Sequence, residues 1–127
     1  VAKDQATCLA SVVWAGSPPS SPPTLSQGSS RDLEEGDAVR TNTSGEAELS
    51  LVNCSGKIYV FKSSSTVVAP CRKFDFDYAS GQCLKAGFAW FNQVCKGRFI
   101  VGTQGAVIQA GATAFAVGYL PEEQVTL

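Results

Sequence analysis

No window of ten or more residues in this chain keeps a helical hydrophobic period. What recurs instead is a short apolar stretch, then a turn, repeated at roughly the 8–12-residue spacing of an all-β chain. Ala47, Leu49 and Leu51 alternate with Glu46, Glu48 and Ser50, the period of a strand with one buried face. Residues 57–61 are apolar on both faces, and further strand-like stretches fall at 66–68, 87–91, 98–101, 106–108, 113–117 and 124–127. The pattern predicts an all-β fold. It is a single small domain of short antiparallel strands, arranged as a sandwich or a short β-solenoid. Leu49, Leu51, Val60, Phe99, Val101, Phe115 and Val117 are its expected core.

At 127 residues, 44% hydrophobic and 17% charged, the chain has the size and composition of one folded domain spanning 1–127. Residues 1–16 read as an N-terminal strand. Residues 17–32 carry four prolines among many serines, which block helix and central strand, and read as a surface connector. The net charge is −1 and the basic residues form no run longer than Arg72-Lys73, so no nucleic-acid partner is expected. No apolar run approaches the ~18 residues of a membrane-spanning helix, so no membrane insertion is expected either.

The chain has neither His nor Met. The first absence rules out Ser-His-Asp and Cys-His nucleophiles and any imidazole ligand. The second, with a start at Val1-Ala2-Lys3, reads as removal of a secretory signal peptide, which places the chain outside the cytoplasm, extracellular or periplasmic. Five cysteines, Cys8, Cys54, Cys71, Cys83 and Cys95, contain no Cys-x-x-Cys pair and suggest disulfides in an oxidising compartment. An odd number leaves at least one outside any internal bridge. Cys71 and Cys83 flank the most irregular stretch and are the preferred pair among fifteen possible two-bridge arrangements.

Motifs for catalysis, phosphate binding or dinucleotide binding are missing. The chain is therefore read as no enzyme, with no catalytic residue, cofactor or metal. Asp75 and Asp77 would share one face of a strand, but a solvated loop explains them better than a calcium site. Tyr59, Phe61, Phe88, Trp90, Phe91, Phe99, Phe115 and Tyr119 are read as core, with a sugar-binding platform as the alternative. Asn42 and Asn53 open glycosylation sequons.

The stretch Leu33-Glu34-Glu35-Gly36-Asp37-Ala38-Val39-Arg40-Thr41 resembles the opening of the FecR-type domain, named after bacterial ferric citrate regulators. Gly45-Glu46-Ala47-Glu48-Leu49-Ser50-Leu51 is similar to the strand that follows in that family, and Leu84-Lys85-Ala86-Gly87 to its later Leu-x-x-Gly motif. Val101-Gly102-Thr103-Gln104-Gly105-Ala106 matches in part, with Gln104 where proline is usual. Thr113, Phe115 and Val117 match the last motif, whose Arg and Gly are replaced. The resemblance implies an extracytoplasmic all-β domain and no catalytic residues. Cysteines, a membrane helix and the family's final strands are where the chain departs from it.

Three functions follow as expectations. The first is a secreted structural or interaction module, bacterial in kind, that self-assembles into a filament or envelope layer. Its apolar segment around Cys8, Leu9, Val12, Val13 and Trp14 would donate a strand to an open edge of a neighbouring copy. The second is the periplasmic sensor domain of a FecR-like regulator. The third is a glycan-binding module using Trp90 and its neighbours.

Overall fold

The computed structural model describes residues 3–10, 12–16, 23–69, 80–95, 99–110 and 114–127. Asp75, Asp77 and Cys71 lie outside the described residues, so the expectations placed on them do too. Every regular element described is a strand: β1 Asp4–Ala10, β2 Val13–Gly16, β3 Thr24–Leu25, β4 Ser30–Leu33, β5 Ala38–Thr41, β6 Glu46–Ser50, β7 Cys54–Val60, β8 Ser65–Val67, β9 Ser80–Cys95, β10 Phe99–Gly102, β11 Val107–Ala110, β12 Ala114–Leu120 and β13 Val125–Thr126. No helix among the described residues is long and apolar enough to cross a membrane.

The strands form one sheet that is nearly closed as a barrel, in the order β3-β2-β5-β8-β9-β7-β6-β1-β4. It has two halves. One runs β4-β1-β6-β7-β9-β12-β13 and the other β3-β2-β5-β8-β9-β10-β11. The 16-residue strand β9 belongs to both. Its first part pairs with β10, in parallel, and with β8; its second part pairs with β7 and β12. Gly87 stands where β9 passes from one half to the other, at φ +84°, where an L side chain is strained. At the far ends of the two halves a tight turn, closed by Ser29 N–H donating to the Ser26 carbonyl at 2.9 Å, joins β3 to β4.

Side chains from both halves meet in one core. Val13, Ala15, Val39, Leu84 and Val101 come from one half, and Leu49, Ile58, Val60, Phe91 and Val117 from the other. Of the predicted core, Leu49, Leu51, Val60, Phe99, Val101 and Val117 are buried. Phe115 is half-buried and stacks on Phe91 at 5.1 Å between ring centres, against the edge of the core and not within it.

Three boundaries differ from the sequence reading. The segment read as one N-terminal strand over 1–16 holds two, β1 and β2, in different halves, and β1 itself shifts register against β6 between Cys8 and Ala10. The reading of 17–32 as a surface connector misses β3 and the start of β4; the prolines precede these strands, and the Pro23 carbonyl accepts from Ala15 N–H at 3.2 Å. The strand-like stretch placed at 57–61 begins earlier, at Cys54, because the preceding turn closes through Cys54 N–H to the Leu51 carbonyl.

The segment expected to donate a strand is used at home. β1 lies between β6 and β4, and β2 between β5 and β3, so both have partners on each side within their own chain. Cys8 and Val13 are buried in the core, Leu9 is half-buried, and Val12 and Trp14 face outward.

Candidate functional site

Residues alternate across a strand, so the core-facing set of β7 and β9 fixes what its other face shows. Ile58 and Val60 point inward from β7, as do Ala89, Phe91 and Gln93 from β9. The opposite face therefore carries Tyr59 and then Phe61 on one side, and Phe88, Trp90, Asn92 and Val94 on the other. The aromatics read together from sequence divide in two. Phe91, Phe99 and Tyr119 are buried and Phe115 half-buried, whereas Tyr59, Phe61, Phe88 and Trp90 are exposed at 37%, 43%, 41% and 36%. The core reading is corrected for these four: strand parity turns them outward.

Register brings them into one block. Tyr59 pairs with Trp90 across β7 and β9, and Phe61 N–H donates to the Phe88 carbonyl at 3.1 Å. On the β12 side, Trp90 faces Ala116, Phe88 faces Gly118, and Asn92 faces Ala114. These three are small, so the surface drops beside the rings. The Phe88 ring covers Gly118, where a Cβ would collide with it. On the β6 side, Tyr59 is opposite Glu48, whose carboxylate is 3.5 Å from Lys57 Nζ; Lys57 also donates to Ser50 Oγ at 2.7 Å. At the Phe88 end the face opens into a cavity of about 410 Å³ bordered by Lys62, Leu120, Glu122 and Glu123. Rings, a carboxylate–ammonium pair and an amide thus share one exposed strip. None of these groups is arranged as a nucleophile beside a base.

The cysteines sit elsewhere. Cys54 and Cys95 form a disulfide between directly opposed positions of β7 and β9. Their pairing depends on sheet register, which spacing alone does not reveal. Cys83 is also oxidised, while its expected partner Cys71 is outside the described residues. Cys8 keeps its thiol, buried at 1% exposure and 3.7 Å from the Ala10 carbonyl; burial raises its pKa. Of the two sequon asparagines, Asn42 is exposed in a turn in which its Oδ1 accepts from Ser44 N–H at 3.0 Å and Ser44 Oγ at 3.2 Å. Asn53 is exposed in the turn before the disulfide.

Comparison of the chain with protein-family models, with curated proteins and with solved structures gives no match.

Proposed function

We propose that this chain is a non-catalytic, secreted module that binds a glycan chain on the outer face of β7, β9 and β12. The observation that carries the reading is the exposed block of Tyr59, Phe61, Phe88 and Trp90. An aromatic side chain offers about 200 Å². At the exposures given above, the four rings therefore present roughly 300 Å² of apolar surface, comparable to the largest apolar patch of a typical soluble domain, which is often functional. A stable protein partner covers about 800 Å² on each side. The block is too small for that on its own, and suits a narrow ligand. Pyranose rings have flat C–H faces that stack on aromatic rings and a rim of hydroxyls that need partners. Glu48, Lys57 and Asn92 supply donors and acceptors on the same face.

The disulfide supports an oxidising, extracytoplasmic setting. FecR-type membership belongs to the same proposal. Gly36, at φ +92° in the turn before β5, supports reading the first of the resembling motifs as a turn. Assembly by strand donation is not retained, because β1 and β2 are paired within the chain.

The test is retention on insoluble or gel-embedded glycans, with cellulose, chitin and peptidoglycan as the panel. The wild type should be retarded by at least one. Trp90→Ala with Tyr59→Ala should weaken that binding about tenfold or more while leaving the melting temperature within a few degrees. Passage of the wild type through the whole panel unretarded, or equal binding by the folded double variant, would overturn the reading.

A further inference from the structure

On the outer face of the other half, Trp14 and Arg40 are register partners across β2 and β5. The Arg40 guanidinium carbon lies 5.5 Å from the centre of the Trp14 ring, a cation–π stack. Trp14 is 40% exposed and Val12 37%. With Thr41 and Asn42 they line a cavity of about 310 Å³.

Its polar groups have an unusual balance. Thr41 is 4% exposed, and its Oγ1 is engaged inside the chain, donating to the Phe61 carbonyl at 2.6 Å and accepting from Ser64 N–H at 2.9 Å. Asn42 Oδ1 is taken up by Ser44 N–H and Oγ, which fixes the amide so that its NH₂ group is what remains. No carboxylate pairs with Arg40 among the described residues. Arg40 and the Asn42 amide therefore offer only donors, beside an apolar wall of Trp14 and Val12. The stack holds the guanidinium plane in place, so its fork of N–H groups is oriented in advance.

We propose that this cavity binds a carboxylate carried on a compact body, the carboxylate bridging the Arg40 fork and the body lying against Trp14 and Val12. A carboxylate matches the fork bidentately and neutralises its charge, whereas a neutral acceptor makes weaker hydrogen bonds and leaves the charge unpaired. A uronic acid residue within a polysaccharide and a free small organic acid share this chemistry. The site lies on the other half of the sheet from the aromatic block and stands whether or not that face binds a glycan.

The chain has two tryptophans, so its amide–nitrogen NMR spectrum contains two indole N–H signals, assigned by Trp14→Phe. Trigalacturonate is titrated into the full chain, with its methyl ester, acetate and inorganic phosphate as parallel probes. Trigalacturonate should shift the Trp14 signal. Arg40→Gln should weaken the interaction about tenfold, and Arg40→Lys, which keeps charge but loses the fork, at least severalfold. Acetate shifting Trp14 as strongly as trigalacturonate would assign the site to small acids and not to a polymer, with the carboxylate retained. Three results would overturn the proposal: no Trp14 shift with any carboxylate, an equal shift with the methyl ester or phosphate, or unchanged affinity in Arg40→Gln. The first would leave the Trp14–Arg40 stack a purely structural pair.

Discussion

Gly87 is where β9 leaves one half of the sheet for the other, and Gly87→Ala isolates what that passage costs. Two penalties add. At φ +84° an L residue pays about 1–2 kcal/mol for the left-handed conformation. The new Cβ would also meet Ser64 Oγ and stand 2.7 Å from both the Ser63 carbonyl oxygen and Ser64 Cα. Those last two are backbone atoms, so no rotamer change relieves them. The turn before β8 must move away from β9, and that loosens Phe88 N–H to Ser64 Oγ at 2.9 Å and Ser64 Oγ to the Phe88 carbonyl at 3.1 Å. At about 1 kcal/mol for each hydrogen bond, the whole loss is about 3–4 kcal/mol. For a chain of this size that lowers the melting temperature by roughly 10–15 °C.

Two other glycines separate the terms. Gly28 has φ +85° and nothing within 4 Å of an added Cβ, so Gly28→Ala should show the conformational cost alone, about 1–2 kcal/mol. Gly105 has no positive φ, and the nearest atom to its added Cβ is Thr126 Oγ1 at 4.0 Å; Gly105→Ala should stay within about 0.5 kcal/mol. Urea titrations followed by fluorescence would rank the three. Equal losses in Gly87→Ala and Gly28→Ala would refute the steric account of the crossing.

Phe115→Ala should cost about 1.5–3 kcal/mol, below the range for a fully buried phenylalanine, because the ring is half-exposed and its main partner is Phe91; a loss near 5 kcal/mol in urea would place it deep in the core instead. Removing the Cys54–Cys95 bridge by a double Cys→Ala change opens a loop of sequence separation 41 and should destabilise by up to about 4 kcal/mol, read as the shift in urea midpoint. Gln93 is 6% exposed and its Nε2 has no hydrogen-bond partner among the described residues, so Gln93→Met, close in volume, should be neutral or stabilising by about 1 kcal/mol; a loss of stability would reveal a partner for the amide. Burial raises the Cys8 pKa above its ordinary 9.0, so the unfolded chain ionises first as pH rises. The Cys8 contribution is complete below that value and is lost as pH climbs toward the folded pKa, so between pH 8 and pH 10.5 the wild type should lose more stability than Cys8→Ala; parallel curves would refute it.

Strand content and the inward positions of β6 were legible because alternation there is sharp: Glu46, Glu48 and Ser50 cannot compete with Ala47, Leu49 and Leu51 for the interior. The site was less legible for the opposite reason. Ile58, Tyr59, Val60 and Phe61 are all apolar, so period two cannot say which pair is buried, and only packing against β9 turns Ile58 and Val60 inward. The same ambiguity covers residues 87–91, where Ala89 and Phe91 face in while Phe88 and Trp90 face out. A sheet that needed only stability would be expected to place polar residues on that face, as β6 does. Exposed Tyr59, Phe61, Phe88 and Trp90 thus depart from the rule that β6 obeys, as Trp14 on β2 and Val107 on β11 do singly, and such departures concentrate where a surface binds something. The long-range features were hidden differently. β9 crosses both halves because Gly87 bends it without ending it, and in sequence a glycine after Leu84-Lys85-Ala86 looks the same whether it bends a strand or stops one. Whether Cys54 meets Cys95 depends on the register of two strands 41 residues apart, which is settled by packing against the core and not by spacing.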